Sequence, residues 1–109
     1  MENVNIPRPT LAWKNKRNEE SNFYSPQAIT DSDKLLDIYL TNLKKSTDEI
    51  EIWESIAKVV KGFDELNIKH NNFIETTERE ALAGFIQHAA EASGLKYDGD
   101  VTEEWRTEW

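Results

Sequence analysis

From Thr30 onward the apolar residues recur at the three- and four-residue spacings of a helix, and no segment alternates as a half-buried strand would. A first helix is predicted over about 32–45. At 100° per residue it gathers Leu35, Leu36, Tyr39, Leu40 and Leu43 into one arc and places Lys44 and Lys45 at the negative end of its dipole. Ser46 and Glu49 have the spacing of a capping box for a second helix, which runs to about Leu66. Its stripe of Ile52, Ile56, Val59, Phe63 and Leu66, flanked by Trp53 and Val60, marks it as the centre of the core, with Gly62 a mild weakness. Asn67, Asn71 and Asn72 punctuate the next connection. Thr77 and Glu80 repeat the capping-box spacing for a third helix reaching Ser93, with Leu82, Phe85, Ile86 and Ala89 inward. Gly94 followed by Leu95 suits a left-handed stop with an apolar contact. After the turn-like Asp98-Gly99-Asp100, Thr102 is placed to cap a short last helix, Glu103 to about Trp109.

Before these helices, residues 1–29 read as an irregular arm. Residues preceding proline are pushed out of helical backbone, so Ile6-Pro7-Arg8-Pro9 is expected to be extended. Leu11, Trp13, Phe23 and Tyr24 give the arm apolar anchors with which to wrap the helical domain at 30–109. The prediction is an all-α fold of three main helices, a short C-terminal helix and this arm, with a core of Leu36, Tyr39, Leu43, Ile52, Ile56, Val59, Phe63, Leu82, Phe85, Ile86 and Ala89.

Composition narrows the function. A chain of 109 residues with 38% hydrophobic and 10% aromatic residues folds as one domain, too small to enclose a deep cofactor cavity, and no cofactor is expected. No apolar stretch approaches the ~20 residues that span a bilayer, and the first residues lack the apolar region of a secretion signal, so a soluble cytoplasmic protein without membrane contact is expected. The absence of cysteine suits a reducing compartment. The net charge of −8 divides unevenly. Residues 1–30 carry four basic and three acidic side chains, and the remaining residues nine basic and 18 acidic. Such an acidic body repels the phosphates of nucleic acid and suits a basic protein, met by this chain as a monomer.

Catalytic chemistry finds little footing. His70 and His88 are 18 residues apart, which is not metal spacing. His88, at the edge of the third helix's apolar face, is expected to be partly buried and structural, and His70 to be a solvated turn residue. Asp98-Gly99-Asp100-Val101-Thr102 begins like a calcium loop, but Glu103 stands where the sixth-position glycine belongs and Trp109 where the twelfth-position glutamate belongs. No metal site follows. No phosphate-binding glycine loop and no nucleophile elbow occurs, and Glu54 and Lys58 form an ordinary surface pair. Two acidic clusters stand out. One is Asp48, Glu49, Glu51 and Glu54 at the start of the second helix, where the charge also complements the helix dipole. The other is the C-terminal segment. There Asp98, Asp100, Glu103, Glu104 and Glu108 accompany Arg106, and Val101, Trp105 and Trp109 form a stripe beside Glu104 and Glu108. Trp105 is expected to dock that segment on the core. Trp109 is expected to be an exposed aromatic rimmed by carboxylates, as in a hot spot for a partner rich in Lys and Arg.

A small, acidic, cysteine-free chain without a catalytic motif, ending in Thr102-Glu103-Glu104-Trp105-Arg106-Thr107-Glu108-Trp109, resembles the small bacterial immunity proteins of contact-dependent and polymorphic toxin systems. The resemblance implies a non-enzymatic inhibitor that caps the active site of a cognate toxin domain, often a basic nuclease. Independently of it, acidic surfaces complement basic clefts and accelerate encounter. The partner-binding residues expected on this reading are Asp98, Asp100, Glu104, Trp105, Glu108 and Trp109, with Asp48, Glu51 and Glu54 as second choice. Competing readings are a non-catalytic adaptor or regulatory subunit of a larger assembly, which requires a large apolar patch, and a phage-encoded nucleic-acid mimic, which requires carboxylates spaced like phosphates.

Overall fold

The computed structural model describes residues 8–10, 26–70, 72–97, 99–106 and 109. Three helices make up the body: α1 (Pro26–Lys45), α2 (Glu49–Lys69) and α3 (Thr76–Ala92). No strand occurs among the described residues. The fold is all-helical, and no described helix is long and apolar enough to cross a membrane.

The apolar periodicity locates the core. All of the residues assigned to it from spacing are buried, from Leu36, Ile56, Phe63, Leu82, Ile86 and Ala89 at 0% exposure to Ile52 at 4%. Hydrophobic burial needs only the correct helical phase, and each stripe is long enough to define it. Helix ends are less faithfully encoded. α1 begins at Pro26, six residues before the predicted start, so positions 26–29 of the expected arm are helical, and Ala28 and Ile29 are in the core. Proline's fixed φ suits a first helical position, and the order Ser25-Pro26 is a start signature that the apolar pattern hides. Of the remaining arm, Pro9 and Thr10 are helical where irregular, extended backbone was expected, Arg8 pairs with Asp33 and Asp37 of α1, and the buried Thr10 donates its hydroxyl to Asp33. The predicted anchors Leu11, Trp13, Phe23 and Tyr24 lie outside the described residues.

The capping residues also differ from expectation. Asp48, not Ser46, caps α2, accepting from the Glu51 N–H at 2.9 Å, while Ser46 donates its hydroxyl to the Asn42 carbonyl in the last turn of α1. Ser46 sits too early, because only the residue directly preceding the helix reaches its free amides. In α3 the reciprocal position belongs to Glu78, whose carboxylate accepts from the Glu75 N–H at 2.9 Å; the predicted Thr77 is exposed. Asn67 is not a loop residue. It is buried within α2, and its side-chain oxygen accepts from the Ile74 N–H at 2.8 Å, tying the connection to the helix end. The α3 stop is as expected. Gly94 adopts φ 111°, the Gly94 N–H reaches the Glu91 carbonyl, the Leu95 N–H reaches the Ala90 carbonyl, both at 3.0 Å, and Leu95 is buried.

α1 and α2 share the largest interface and run antiparallel, since Asp31 near the start of α1 meets Lys69 and His70 at the end of α2. A Cβ at Gly62 would lie 2.9 Å from the Leu35 Cδ2, so this glycine, a weakness by propensity, leaves room for the Leu35 side chain of α1. α3 lies against both, and the buried Tyr39 hydroxyl donates to the Ile86 carbonyl at 2.7 Å. The histidine assignments reverse. The His70 side chain is 12% exposed, with Nε2 3.1 Å from Asp31 and its ring edge-on to Phe73, whereas His88 is exposed because it falls away from the face formed by Leu82, Phe85, Ile86 and Ala89.

Past α3 the chain returns to α2. Residues 101–105 form successive turns, although a helix was predicted from Glu103, and the Trp105 and Arg106 N–H groups are both directed at the Thr102 carbonyl. The turn is organised by Asp100, whose Oδ1 accepts from the Thr102 N–H at 2.9 Å and hydroxyl at 2.6 Å. Thr102, the predicted cap, is itself fully buried.

Candidate functional site

The return of the chain brings together aromatic residues that are distant in sequence. Trp53 lies one position beyond Ile52, at the flank of the α2 apolar stripe, and so emerges half-buried beside the core. Tyr97 follows the α3 stop by three residues. Its ring meets the Trp53 indole edge to face, with centroids 5.0 Å apart and planes at 89°, while the Trp105 ring lies 5.5 Å from that of Trp53 at 46°. Gly99 holds φ 138°, and a Cβ there would come within 3.3 Å of the Tyr97 ring, so glycine is required for the loop to pass beneath the tyrosine.

A groove of about 350 Å³ opens at this cluster, lined by Trp53, Tyr97, Asp100, Val101, Glu103 and Glu104. Its carboxylates are not equivalent. Both oxygens of Asp100 are engaged, Oδ1 by Thr102 and Oδ2 by Arg106 Nη2 at 3.2 Å. The side chains of Glu103 and Glu104 are exposed, and their carboxylates have neither an ion-pair nor a hydrogen-bond partner among the described residues. The groove therefore presents aromatic surface next to negative charge that the fold does not use.

Trp109 belongs elsewhere, and its expected role as an exposed hot spot is corrected. It is 9% exposed, its indole N–H donates to the Val60 carbonyl at 3.3 Å, and its ring lies 6.1 Å from Phe63. The Arg106 guanidinium covers it at 5.7 Å from the ring centre, and Nη1 also reaches the Trp109 carbonyl at 3.3 Å. The predicted Val101–Trp105–Trp109 stripe is not one face, since Trp105 lies against Trp53 and Trp109 against Phe63. Asp98 and Glu108, the other predicted contact residues, lie outside the described residues.

The second acidic cluster is largely consumed by the fold. Asp48 caps α2, and Glu51 accepts from the Thr47 amide at 2.6 Å and hydroxyl at 2.7 Å, bonds that hold its carboxyl below the ordinary value. Glu54 is exposed, but it shares a shallow pocket with Lys45 and Lys58, which offset its charge. Of the residues proposed from sequence, Asp100 and Glu104 line the groove and Trp105 lies against Trp53, whereas Trp109, Asp48, Glu51 and Glu54 are not among the lining residues. Trp53, Tyr97 and Glu103 were missed as site residues. Trp53 carried a signal in its off-stripe position on a core helix, whereas Tyr97 acquires its place only through the turn at Gly94.

Among the described residues no group of three or more His, Asp or Glu side chains is arranged to hold a metal ion. No protein-family model, no curated protein and no solved structure matches this chain.

Proposed function

We propose that this chain is a cytoplasmic immunity protein, which neutralises a basic bacterial toxin by covering it with the acidic–aromatic face built from Trp53, Tyr97, Asp100, Glu103, Glu104 and Trp105. The observation that carries the reading is the pair of uncompensated carboxylates, Glu103 and Glu104, beside half-exposed aromatic rings. Carboxylates without internal partners lose no native interaction when they turn to a partner, and aromatic surface supplies desolvated contact area beside them. The excess of negative charge over the helical body adds long-range attraction, which matters for an inhibitor that must reach its target quickly.

The adaptor alternative calls for one large apolar patch, and among the described residues the exposed large apolar side chains other than Tyr97 at the groove are dispersed. Ile38 is on α1, while Ile50 and Ile68 are at opposite ends of α2, on the order of 27 Å apart at 1.5 Å rise per residue. The decisive experiment is rescue in cells. The toxic domain encoded beside this gene is expressed with the wild-type chain or with Glu103→Lys plus Glu104→Lys. Growth restored by the wild type and not by the folded double variant is expected. If no neighbouring product is toxic and relieved by this chain, the immunity reading falls. If the double variant rescues fully, the face is wrong.

A further inference from the structure

We infer that the groove at Trp53 and Tyr97 is a receptor for a single arginine side chain of the partner, its guanidinium lying on the aromatic surface and bridged by Glu103 and Glu104. The inference rests on the reading above and specifies what the face recognises. Two ring planes at 89° with centroids 5.0 Å apart form a corner, so a planar cation lying on the face of one ring directs its own N–H edge toward the face of the other. At about 350 Å³, near the lower end of the ~300–1,000 Å³ range of ligand pockets, the groove suits one side chain and not a large cofactor.

The molecule supplies its own precedent for arginine. On the same loop, Arg106 lies over the Trp109 ring at 5.7 Å and gives Nη2 to Asp100 at 3.2 Å. That pair combines an indole face with a carboxylate. The groove repeats the combination around Trp53, except that two of its carboxylates, Glu103 and Glu104, have no cation of their own among the described residues. A guanidinium fits this arrangement better than an ammonium. It is flat enough to stack, and its forked donors serve two acceptors at once, whereas a lysine head is a compact and strongly hydrated point charge.

The test uses the full chain labelled with ¹⁵N and three short probes: acetyl-Gly-Arg-Gly-amide, the same peptide with citrulline, which keeps the shape but loses the charge, and the same peptide with lysine. Indole N–H signals report each tryptophan separately. The arginine peptide should shift Trp53 and Trp105 saturably and leave Trp109 unmoved. Citrulline should shift none of them, and lysine should bind at least about threefold more weakly. Glu103→Gln with Glu104→Gln should weaken arginine binding about tenfold or more, and Tyr97→Ala, at a position 48% exposed, should weaken it about threefold without unfolding the chain. An arginine peptide that leaves Trp53 unmoved, a citrulline peptide that binds equally well, or a lysine peptide that binds as tightly overturns the inference. Neutralisation of a toxin in cells by a chain that ignores the arginine peptide would overturn this inference alone. Saturable arginine binding without neutralisation would uphold it and overturn the immunity reading.

Discussion

Trp109→Ala separates a structural from an interfacial role for this side chain, and the structure sets its expected cost. A tryptophan buries about 150–250 Å² on folding, which at about 25 cal/mol per Å² gives an upper limit of ~4–6 kcal/mol. Nearly all of that applies here, since the residue is 9% exposed. Losing the indole bond to the Val60 carbonyl adds about 1 kcal/mol. Against this, a segment released from the core regains about 1–2 kcal/mol of backbone entropy per residue, and Phe63 and Arg106 can settle into part of the vacated space. The net loss should be about 3–4 kcal/mol, within the ~3–5 kcal/mol seen for large aromatic truncations, and a large share of the ~5–15 kcal/mol stability of a domain. The melting temperature should fall by about 12–16 °C. Urea unfolding followed by far-ultraviolet circular dichroism is the suitable assay, because removing a tryptophan alters the fluorescence signal itself. A loss below about 1 kcal/mol with an unchanged m-value would place the ring at the surface and refute the packing against Phe63.

Gly84 is exposed in the middle of α3, and a Cβ added there would meet no heavy atom within 4 Å, so Gly84→Ala should stabilise the chain by about 1 kcal/mol; a lower melting temperature would reveal a contact that the structure does not contain. Asp48→Ala should cost about 1 kcal/mol and Ser46→Ala distinctly less, because only Asp48 accepts from an α2 amide; equal losses in urea unfolding would restore Ser46 as a cap. The Asp31 carboxyl is held below its ordinary value chiefly by the His70 hydrogen bond and then by Gln27. Its native value is thus lower than its unfolded value, so its contribution is present above about pH 4 and is lost as the pH falls through the native value. Asp31→Asn should flatten the acid limb of a urea-midpoint profile, and an unchanged limb would show that the pair contributes nothing.

The parts of this protein legible in its sequence are those set by many residues at once. A helical stripe such as Ile52, Ile56, Val59 and Phe63 repeats its phase several times, and one mistaken position does not move it. Cap positions rest on two residues, and the start of α2 contains two matching pairs. Ser46 with Glu49 and Asp48 with Glu51 have the same spacing, and the choice between them depends on where α1 releases the chain. The groove was less accessible still. Trp53 and Tyr97 are 44 residues apart and meet because Gly94 turns the chain and Gly99 lets it pass under the ring, so no local spacing announces the pair.

Acidic residues show the same limit in energetic form. On the sequence, Asp48, Glu51, Asp100, Glu103 and Glu104 are interchangeable negative charges. In the fold, Asp48 holds a helix start, Glu51 holds the preceding loop and Asp100 holds both a turn and Arg106. For such a carboxylate, engaging a partner means giving up native bonds, each contributing about 0.5–1.5 kcal/mol or more where a charge takes part. Glu103 and Glu104 have no such bonds to give up among the described residues. All these charges contribute to the field that draws in a basic partner, because that field sums over the whole surface. Close-range recognition selects the subset that folding has left free, and that subset borders the groove at Trp53 and Tyr97.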